Sequence, residues 1–196
     1  MRIIAGLYRG RQILPPPGRT TRPITDRVKE SLFGILSEQV EGARVADLFA
    51  GTGSLGLEAL SREAQFCCFV ESDRRALRLL RQNVQTLAPE EKTHIAAKNA
   101  WVFPSWSAHP QPFELIFVDP PYVDSRDSSP SSRLGKLLIG LSGARILSRG
   151  GIVVVRHEAA YPCETDYEDL QLSQTRCYGS MALSFLVRSA QQSGEK

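Results

Sequence analysis

The chain has 196 residues, of which 42% are hydrophobic and 23% charged, and its formal net charge at pH 7 is +3. This composition suits one globular domain with an ordinary core and excludes a fully disordered chain. No run approaches the roughly 18 apolar residues of a membrane-spanning helix, and the first residues lack the pattern of a secretory signal. We therefore expect a cytoplasmic protein with no membrane partner.

The four cysteines show no Cys-x-x-Cys spacing, and the three histidines are scattered along the chain. We expect free thiols and no metal site. Positive charge is concentrated in residues 1–29, here called the basic arm. This segment contains a single acidic residue, Asp26, and seven basic ones: Arg2, Arg9, Arg11, Arg19, Arg22, Arg27 and Lys29. Such a surface attracts nucleic-acid phosphates, although charge alone is equally compatible with a solubilising face.

Residues 1–40 are predicted to form an N-terminal extension. "RIIAG" and "RQIL" indicate a short hairpin with Gly6 and Gly10 at its turn, and "PPPG" then interrupts regular structure. In "TDRVKESLFGILSEQ", apolar residues recur at the spacing of an amphipathic helix capped by Thr25 or Asp26; they are Val28, Leu32, Ile35 and Leu36.

Strand and helix patterns alternate from Arg44 onward: "RVADLFA", "SLGLEALSRE", "QFCCFVES", "RRALRLLRQNVQTL", "THIAAKN", "FELIFVDPP", "SRLGKLLIGLSGARIL" and "GGIVVVRHE". This alternation predicts a parallel sheet covered by helices. The tail "EDLQLSQTRCYGSMALSFLVRS" predicts an antiparallel hairpin turning at "YGS", and the polar segment "VDSRDSSPSSR" predicts a mobile loop. The expected domains are 1–40 (RNA-binding extension), 41–190 (the α/β domain) and 191–196 (a disordered tail).

A glycine-rich turn follows the strand "RVADLFA". Gly51, Gly53 and Gly56 satisfy Gly-x-Gly-x-x-Gly between a predicted strand and helix, where glycine lets the backbone approach a ligand. The next strand ends at Glu71, about 20 residues further on, where an acid can bind both hydroxyls of a ribose. A nucleoside-containing cofactor is indicated. The alternative is a tight turn with Glu71 as a surface acid.

The turn by itself does not distinguish NAD from S-adenosylmethionine. Asp47 precedes it, and a carboxylate there would repel a pyrophosphate but attract a cationic amino group, which favours the sulfonium cofactor. Asp47 is also compatible with a purely structural role, as a cap for the turn.

A second motif, "DPPY" at Asp119, Pro120, Pro121 and Tyr122, ends an apolar strand, where open α/β sheets place their ligands. The prolines present rigid carbonyl acceptors, Asp119 adds a carboxylate and Tyr122 a flat ring. Acceptors that hold both hydrogens of a base amine would help its nitrogen attack a methyl group, because they stabilise the developing positive charge. An ordinary strand-terminating turn is the alternative.

Taken in order, "MRIIAGLYRGRQI", "RPITDRVKESLFGIL", "DLFAGTGSLGLEALSR", "FVESD", "DPPY" and "RCYG" resemble the ribosomal RNA small-subunit methyltransferase D family over nearly the whole chain. The resemblance implies a Rossmann-like class I S-adenosylmethionine-dependent methyltransferase with a mostly parallel seven-stranded sheet, an antiparallel C-terminal hairpin and a small N-terminal hairpin-plus-helix extension. It implies methylation of a guanine 2-amino group in 16S rRNA, within a small-subunit ribosomal particle, by a monomer.

The resemblance also implies site residues. The cofactor would contact Asp47, Phe49, Ala50, Gly51, Gly53, Glu71, Ser72, Asn99 and Ala100, and the base would contact Asp119 to Tyr122. Separately, the charge of the basic arm predicts RNA contacts by Arg9, Arg11, Arg22 and Arg27. Asn99 is equally compatible with a turn at a strand end, and Trp101 and Trp106 are expected to pack rather than to stack on bases. Ile24, "SREAQ" and the polar loop depart from the usual family pattern, and the loop leaves substrate positioning open.

Other functions share parts of this pattern. A DNA amino-methyltransferase would use the same Asp-Pro-Pro-Tyr chemistry, but the chain has little room for a target-recognition domain. A glutamine methyltransferase usually has Asn at the first position, and a nicotinamide-dependent oxidoreductase leaves the motif unexplained. A non-catalytic RNA-binding assembly factor would tolerate a degenerate cofactor pocket, whereas every expected cofactor-contacting position is intact here.

Overall fold

A computed structural model describes residues 1–15, 24–105, 112–143 and 146–190. The chain comprises two compact units, residues 1–100 and 101–196, and each is described by itself. Arg22, Trp106 and the predicted tail 191–196 lie outside the described residues.

The described residues of the first unit form three parallel strands and four α-helices. The helices are α1 (Asp26–Ile35), α2 (Ser37–Val40), α3 (Ser54–Ser61) and α4 (Arg74–Leu87), and the strands are β1 (Arg44–Leu48), β2 (Phe66–Glu71) and β3 (Thr93–Ala97). β2 pairs in parallel with β1 on one side and β3 on the other, and its residues from Cys67 to Val70 are buried. Burial on both faces accounts for its continuous apolar sequence.

Side-chain caps fix where two of these helices begin. The Thr25 hydroxyl accepts a hydrogen bond from the Val28 N–H at the start of α1, and the Asp73 carboxylate accepts from Arg75 and Ala76 at the start of α4. The helix predicted from "TDRVKESLFGILSEQ" is interrupted at Leu36, so that α1 is followed by the single turn α2.

The N-terminal segment forms the predicted antiparallel hairpin in a shortened form: the Ile3 N–H donates to the Arg11 carbonyl and the Ile13 N–H to the Met1 carbonyl, both at 2.9 Å. It contains one isolated antiparallel bridge, between Arg2 and Gln12, and it buries Ile3 and Ile13. The strands do not extend because α3 takes over their backbone hydrogen bonds: Glu58 accepts from the N–H groups of Ile4 and Ala5 at 2.8 and 3.0 Å.

Ser61 completes this attachment to α3. Its hydroxyl accepts from the Tyr8 N–H at 2.9 Å and donates to the Ala5 carbonyl at 2.6 Å. Gly6 is required here, because its φ is +81° and a Cβ at this position would lie 1.8 Å from the Ser61 carbonyl oxygen. Lys29, counted above with the positive charge of the arm, is 1% exposed and adds no charge to its surface.

The second unit contains α5 (Arg133–Leu141) and the strands β4 (Phe113–Val118), β5 (Leu147–Glu158), β6 (Asp166–Tyr167), β7 (Leu170–Tyr178) and β8 (Met181–Arg188). β4 and β5 are parallel, whereas β5–β8, β8–β7 and β7–β6 are antiparallel. The predicted C-terminal hairpin is β7 and β8. The described residues thus hold eight strands where seven were expected, the addition being the two-residue β6.

The polar segment after β4 was predicted to be a mobile loop, yet it is held at several points. Its first part is a 3-10 helix, Tyr122–Ser125. Ser128 is buried; its hydroxyl donates to the Pro162 carbonyl at 3.3 Å and accepts from the Glu164 N–H at 3.2 Å. The Ser132 hydroxyl caps α5 by accepting from the Gly135 N–H. These contacts argue against a freely moving loop.

Candidate active site

The glycine-rich turn joins β1 to α3 with three left-handed backbone positions in close succession. Phe49 has φ +62°, Gly51 +56° and Gly53 +86°. A Cβ at Gly51 would meet no atom within 4 Å, so the space on that side of the residue is open and a ligand can approach the backbone there. Gly53, which precedes α3, supplies no side-chain acceptor to the start of the helix, where a ligand that accepts hydrogen bonds can bind.

The other two glycines serve packing within this unit. A Cβ on Gly53 would lie 2.6 Å from Leu80 Cδ1, and one on Gly56 would lie 2.3 Å from the Phe69 ring. The end of the turn and the first part of α3 therefore lie closer to α4 and β2 than a residue with a side chain would permit at these two positions.

Glu71, at the carboxyl end of β2, is bound to the turn by its own carboxylate. One oxygen accepts from the Gly51 N–H at 2.8 Å, and the other accepts from Ser72 and Asp73 at 2.7 Å each. Each carboxylate oxygen has two lone-pair directions, so these bonds leave acceptor capacity for a ribose hydroxyl. The ribose contact of Glu71 remains a prediction, now together with an observed structural role.

Asp47 is 2% exposed and its carboxylate accepts from the Gly56 N–H at 2.9 Å. The capping role considered from the sequence is therefore present, and contact with a cofactor remains a prediction. Ala50 and Ala100 are buried, whereas Ser72 and Asn99 are exposed. Ala100 begins the 3-10 helix Ala100–Ser105, so Asn99 lies at the turn that the sequence allowed.

In the second unit, Asp119 immediately follows β4 and Tyr122 starts the 3-10 helix directly after the prolines. Pro120 is buried and Pro121 is exposed. The Asp119 side chain is 25% exposed, so it is accessible to a ligand without being fully hydrated. The motif therefore presents a carboxylate and an aromatic ring close together in the chain, as the sequence predicts.

The sequence reasoning missed Arg156, which lies on β5 beside this motif. The parallel register pairs Val118 with Val155, so the next residue of each strand, Asp119 and Arg156, come together. One guanidinium nitrogen of Arg156 lies 2.7 Å from Asp119 Oδ2, and another donates to the Tyr122 hydroxyl at 3.2 Å. The guanidinium carbon lies 5.3 Å from the centre of the Tyr122 ring. A positive charge at the end of the apolar run "IVVV" was the available signal.

Electrostatics couple these groups. Burial raises the pKa of Asp119 above its ordinary value, and the adjacent Arg156 opposes that rise. Burial alone would lower the pKa of Arg156, but Asp119 and Tyr122 more than offset this and the pKa lies above its ordinary value. Arg156 is thus a permanent cation, and it favours the ionised form of Asp119.

Three of the four arginines predicted to contact RNA lie within the described residues. Arg9, Arg11 and Arg27 are on the described part of the basic arm, whereas Arg22 lies outside the described residues. Arg9 and Arg11 are exposed, and the Arg11 guanidinium carbon lies 6.0 Å from the centre of the Tyr8 ring. Arg27 is exposed on α1. These positions leave all three arginines accessible to a polyanion.

Trp101 packs against an arginine, in line with its expected packing role. The Arg133 guanidinium carbon lies 4.4 Å from the centre of the Trp101 ring. One face of the ring is therefore covered by Arg133 and is not available to a base. Trp106, for which the same role is expected, is not among the described residues.

A family model described as Conserved hypothetical protein 95 matches residues 1–187. YlbH of Bacillus subtilis (strain 168) is 33% identical over 180 residues, which cover 91% of this chain and 94% of the relative. Ribosomal RNA small subunit methyltransferase D of Escherichia coli (strain K12) is 40% identical over 122 residues, 62% of this chain and 60% of that protein. The chain belongs to the ribosomal RNA small subunit methyltransferase D family.

Solved structures agree with the family. The structure of yhhF from Escherichia coli, which is named as a methyltransferase, has 33% sequence identity and a TM-score of 0.82; the match covers 97% of this chain and 99% of that one. That of HI0767 from Haemophilus influenzae, named as a methylase, has 30% identity and a TM-score of 0.74, and the match covers 96% of this chain and 98% of that one. The expected Rossmann-like methyltransferase fold and the enzyme class of the methyltransferase D family are confirmed.

Two further observations concern metal and membrane binding. Among the described residues, no group of three or more histidine, cysteine, aspartate or glutamate side chains is arranged to hold a metal ion. In the same parts of the chain, every helix is too short or too polar to cross a bilayer. Cys67, Cys68, Cys163 and Cys177 are free thiols, as predicted.

Proposed function

We propose that this protein transfers a methyl group from S-adenosylmethionine to the exocyclic 2-amino group of one guanine in 16S ribosomal RNA. The observation that carries the proposal is the accessible Asp119 carboxylate at the end of β4, with the Tyr122 ring beside it and Arg156 holding both. A carboxylate and a flat ring together suit a planar base that bears an amine.

The cofactor is assigned to residues of the first unit. The open space beside Gly51 admits a ligand to the backbone of the turn, and Glu71 has the acceptor capacity for a ribose. Asp47, Phe49, Ala50, Gly53, Ser72, Asn99 and Ala100 complete the proposed contacts. S-adenosylmethionine supplies an electrophilic methyl group on a positively charged sulfur. Structures named as complexes with S-adenosyl-L-homocysteine share the fold, at 12% and 14% identity.

The base is assigned to residues of the second unit. Asp119 and the Pro120 carbonyl accept hydrogen bonds from the amine, which localises the nitrogen lone pair and stabilises the charge that develops there. With S-adenosylmethionine bound, the nitrogen would form its bond to the methyl carbon that the cofactor supplies, and the electron pair of the broken carbon–sulfur bond would stay on sulfur. The amine proton then passes to Asp119 or to water. Tyr122 stacks on the base, while Pro121 and Pro120 fix the backbone between them.

RNA is held in this proposal by the arginines of the basic arm, Arg9, Arg11 and Arg27, together with Arg22. The attachment of the arm to α3 through Glu58 and Ser61 supports this role, because it fixes the backbone that carries Arg9 and Arg11. We further propose that the substrate is the small-subunit ribosomal particle and that the enzyme acts in the cytoplasm as a monomer, with 1–40 as the RNA-binding extension of a methyltransferase domain at 41–190.

The test uses small-subunit particles and 16S rRNA from a strain that lacks the gene. Mass analysis of nucleosides should find one N2-methylguanine missing, and the purified protein with S-adenosylmethionine should restore it. Asp119→Ala should lower single-turnover methyl transfer by about 10²–10³-fold while changing RNA affinity far less. Methylation of a different atom, or near-normal transfer by Asp119→Ala, would overturn the site assignment.

A further inference from the structure

Arg156 holds the two functional side chains of the Asp-Pro-Pro-Tyr motif at once. Its guanidinium reaches Asp119 Oδ2 at 2.7 Å and the Tyr122 hydroxyl at 3.2 Å, and its side chain is 9% exposed. A planar guanidinium presents its donors at fixed angles, so two contacts by one group set the relative position of the carboxylate and the ring. A carboxylate has about four lone-pair directions, so Asp119 keeps acceptor capacity for a ligand beside this ion pair.

We propose that Arg156 is a positioning residue for methyl transfer, which orients Asp119 and Tyr122 and keeps Asp119 ionised so that its carboxylate accepts the guanine amine. This rests on the proposed function and adds to it. A partly buried carboxylate without a cationic neighbour takes up a proton more readily, and a protonated Asp119 has less acceptor capacity.

A purely structural role for Arg156 predicts a different result from a positioning role. If Arg156 only stabilised the fold, its removal would lower turnover by the same factor at every pH. If it keeps Asp119 ionised, its removal shifts the acid limb of turnover upward, by about 1–3 pH units for the removal of one opposite charge. The loss of turnover relative to the wild type is then large below neutral pH and becomes smaller as the pH rises.

The experiment measures single-turnover methylation of small-subunit particles from the deletion strain between about pH 5.5 and 9, a range that brackets a raised carboxyl pKa. Arg156→Gln should show the upward shift and recover part of its activity at the alkaline end. Arg156→Lys keeps the positive charge but loses the planar guanidinium that contacts two groups at once. Its turnover should therefore fall at nearly the same low pH as that of the wild type, while its KM for RNA rises. Tyr122→Phe serves as the matched control, because it removes one Arg156 contact and leaves the ion pair.

The outcomes separate this inference from the function on which it rests. If the wild type does not form N2-methylguanine, the proposed function fails. Two results would overturn the positioning role of Arg156 in an enzyme whose wild type forms N2-methylguanine. One is that turnover of Arg156→Gln falls at the same low pH as that of the wild type; the other is that its turnover is reduced by an equal factor at all pH values. Circular dichroism of each variant at both ends of the pH range verifies that the compared proteins are folded.

A second surface carries an independent inference. α4 presents Arg74, Arg78 and Arg81 on one helical face, with Arg75 at its edge; we call Arg74, Arg78 and Arg81 the arginine stripe. None of these arginines forms an ion pair with another residue in the described parts of the chain. All four are exposed, and Arg74, Arg75, Arg78 and Leu79 line a surface groove of about 320 Å³.

Helix stability does not account for this charge. α4 contains no acidic residue, so no carboxylate within it is available to pair with the stripe. Cations near a helix N-terminus are disfavoured by the helix dipole, yet Arg74 and Arg75 are its first two residues. The stripe extends about 10 Å along the axis, at roughly 1.5 Å per residue, which is long enough to contact more than one phosphate of a strand.

We infer that the arginine stripe is a second contact surface for ribosomal RNA phosphates, separate from the basic arm. The test compares Arg74→Gln/Arg78→Gln/Arg81→Gln with a control that removes three exposed charges elsewhere, Lys136→Gln/Arg149→Gln/Arg176→Gln. The stripe variant should flatten the salt dependence of binding to deproteinised 16S rRNA by about 0.7–0.9 log unit for each phosphate that it no longer neutralises. The control variant should keep the salt dependence of the wild type, and both variants should keep its affinity for the cofactor.

An unchanged salt dependence in the stripe variant would overturn this inference. So would weaker binding to whole particles with normal binding to deproteinised rRNA, because the stripe would then contact a ribosomal protein. Both readouts are binding measurements, so they are independent of which nucleotide, if any, becomes methylated. A failure of the proposed reaction would therefore leave this result interpretable.

Discussion

Lys29 and Glu58 form an ion pair in which both partners are buried, with side chains 1% and 0% exposed and a separation of 3.3 Å between Nζ and Oε2. Burial lowers the pKa of Lys29, and the neighbouring Glu58 opposes that shift. The Lys29 ammonium also donates to the Arg2 carbonyl at 2.6 Å, while Glu58 accepts from Ile4 and Ala5. This pair therefore fastens the backbone of the basic arm to α1 and α3.

Removing Glu58 should destabilise the protein strongly, because the buried Lys29 ammonium then has no carboxylate beside it, whereas removing Lys29 leaves Glu58 paired with Arg62, whose Nε lies 3.0 Å from Oε1. We expect Glu58→Ala to lower the free energy of unfolding by about 3–5 kcal/mol, Lys29→Met to lower it by less, and the double variant to lose less than the sum of the two. Urea denaturation measures all three. Arg2→Ala is the control: it breaks the exposed Arg2–Asp26 pair and should cost less than about 1 kcal/mol. Strict additivity would contradict the coupling.

Glu71→Ala should weaken cofactor binding and loosen the turn together. The substitution removes the acceptor for Gly51, Ser72 and Asp73 as well as the proposed ribose contact. We expect S-adenosylmethionine binding to weaken by about 1.5–3 kcal/mol, as when a hydrogen bond to a charged group is removed. Calorimetry measures this, with the exposed Glu41→Ala as the control. Unchanged affinity in a folded protein would restrict Glu71 to the structural role.

The two parts of the site differ in how far the sequence predicts them. α4 was predicted with its observed bounds, because its apolar spacing is a local signal and Asp73 caps it. The turn at Gly51 was also predicted, because its glycine pattern lies within one short segment. Arg156 was missed because its partner Asp119 is brought to it by pairing between β4 and β5, which no single segment encodes. The shortening of the N-terminal hairpin was missed for the same reason: Glu58, distant in sequence, accepts the hydrogen bonds of Ile4 and Ala5, and the pairing does not extend past them.

Tyr122 should contribute through its ring more than through its hydroxyl. Tyr122→Ala should weaken productive RNA binding by about 1–3 kcal/mol, the value of one stacking contact. Tyr122→Phe removes only the hydrogen bond from Arg156, whose ion pair with Asp119 remains, so turnover should stay within about tenfold of the wild type. Single-turnover assays with saturating cofactor measure both. Equal effects in the two variants would assign the role to the hydroxyl.

The basic arm should contribute to RNA binding without affecting the cofactor. Replacing Arg9, Arg11 and Arg27 together by glutamine should flatten the salt dependence of 16S rRNA binding by about 0.7–0.9 log unit for each phosphate left without its arginine. S-adenosylmethionine affinity, measured by calorimetry, should stay unchanged. The triple variant of Lys136, Arg149 and Arg176 again removes three charges and serves as the control. An unaltered salt dependence would return the arginines of the arm to a solvated surface.

His157 should make the stability of the protein depend on pH in a defined direction. It is 1% exposed, and its Nε2 lies 2.8 Å from the Ser184 hydroxyl, which is 2.9 Å from that of Thr175. Burial lowers the pKa of His157, so the neutral ring is favoured in the folded state. The unfolded chain, with an ordinary pKa of about 6.5, then binds more protons between the two values.

Stability is therefore fully present above about pH 6.5 and declines as the pH falls toward the folded pKa of His157, by at most about 1.4 kcal/mol per pH unit. His157→Gln should lower stability near neutral pH and flatten this decline, since the titrating group is gone. Urea denaturation at a series of pH values measures it, with His94→Gln, at an exposed position on β3, as the control. A decline that persists unchanged in His157→Gln would assign the pH dependence to other groups.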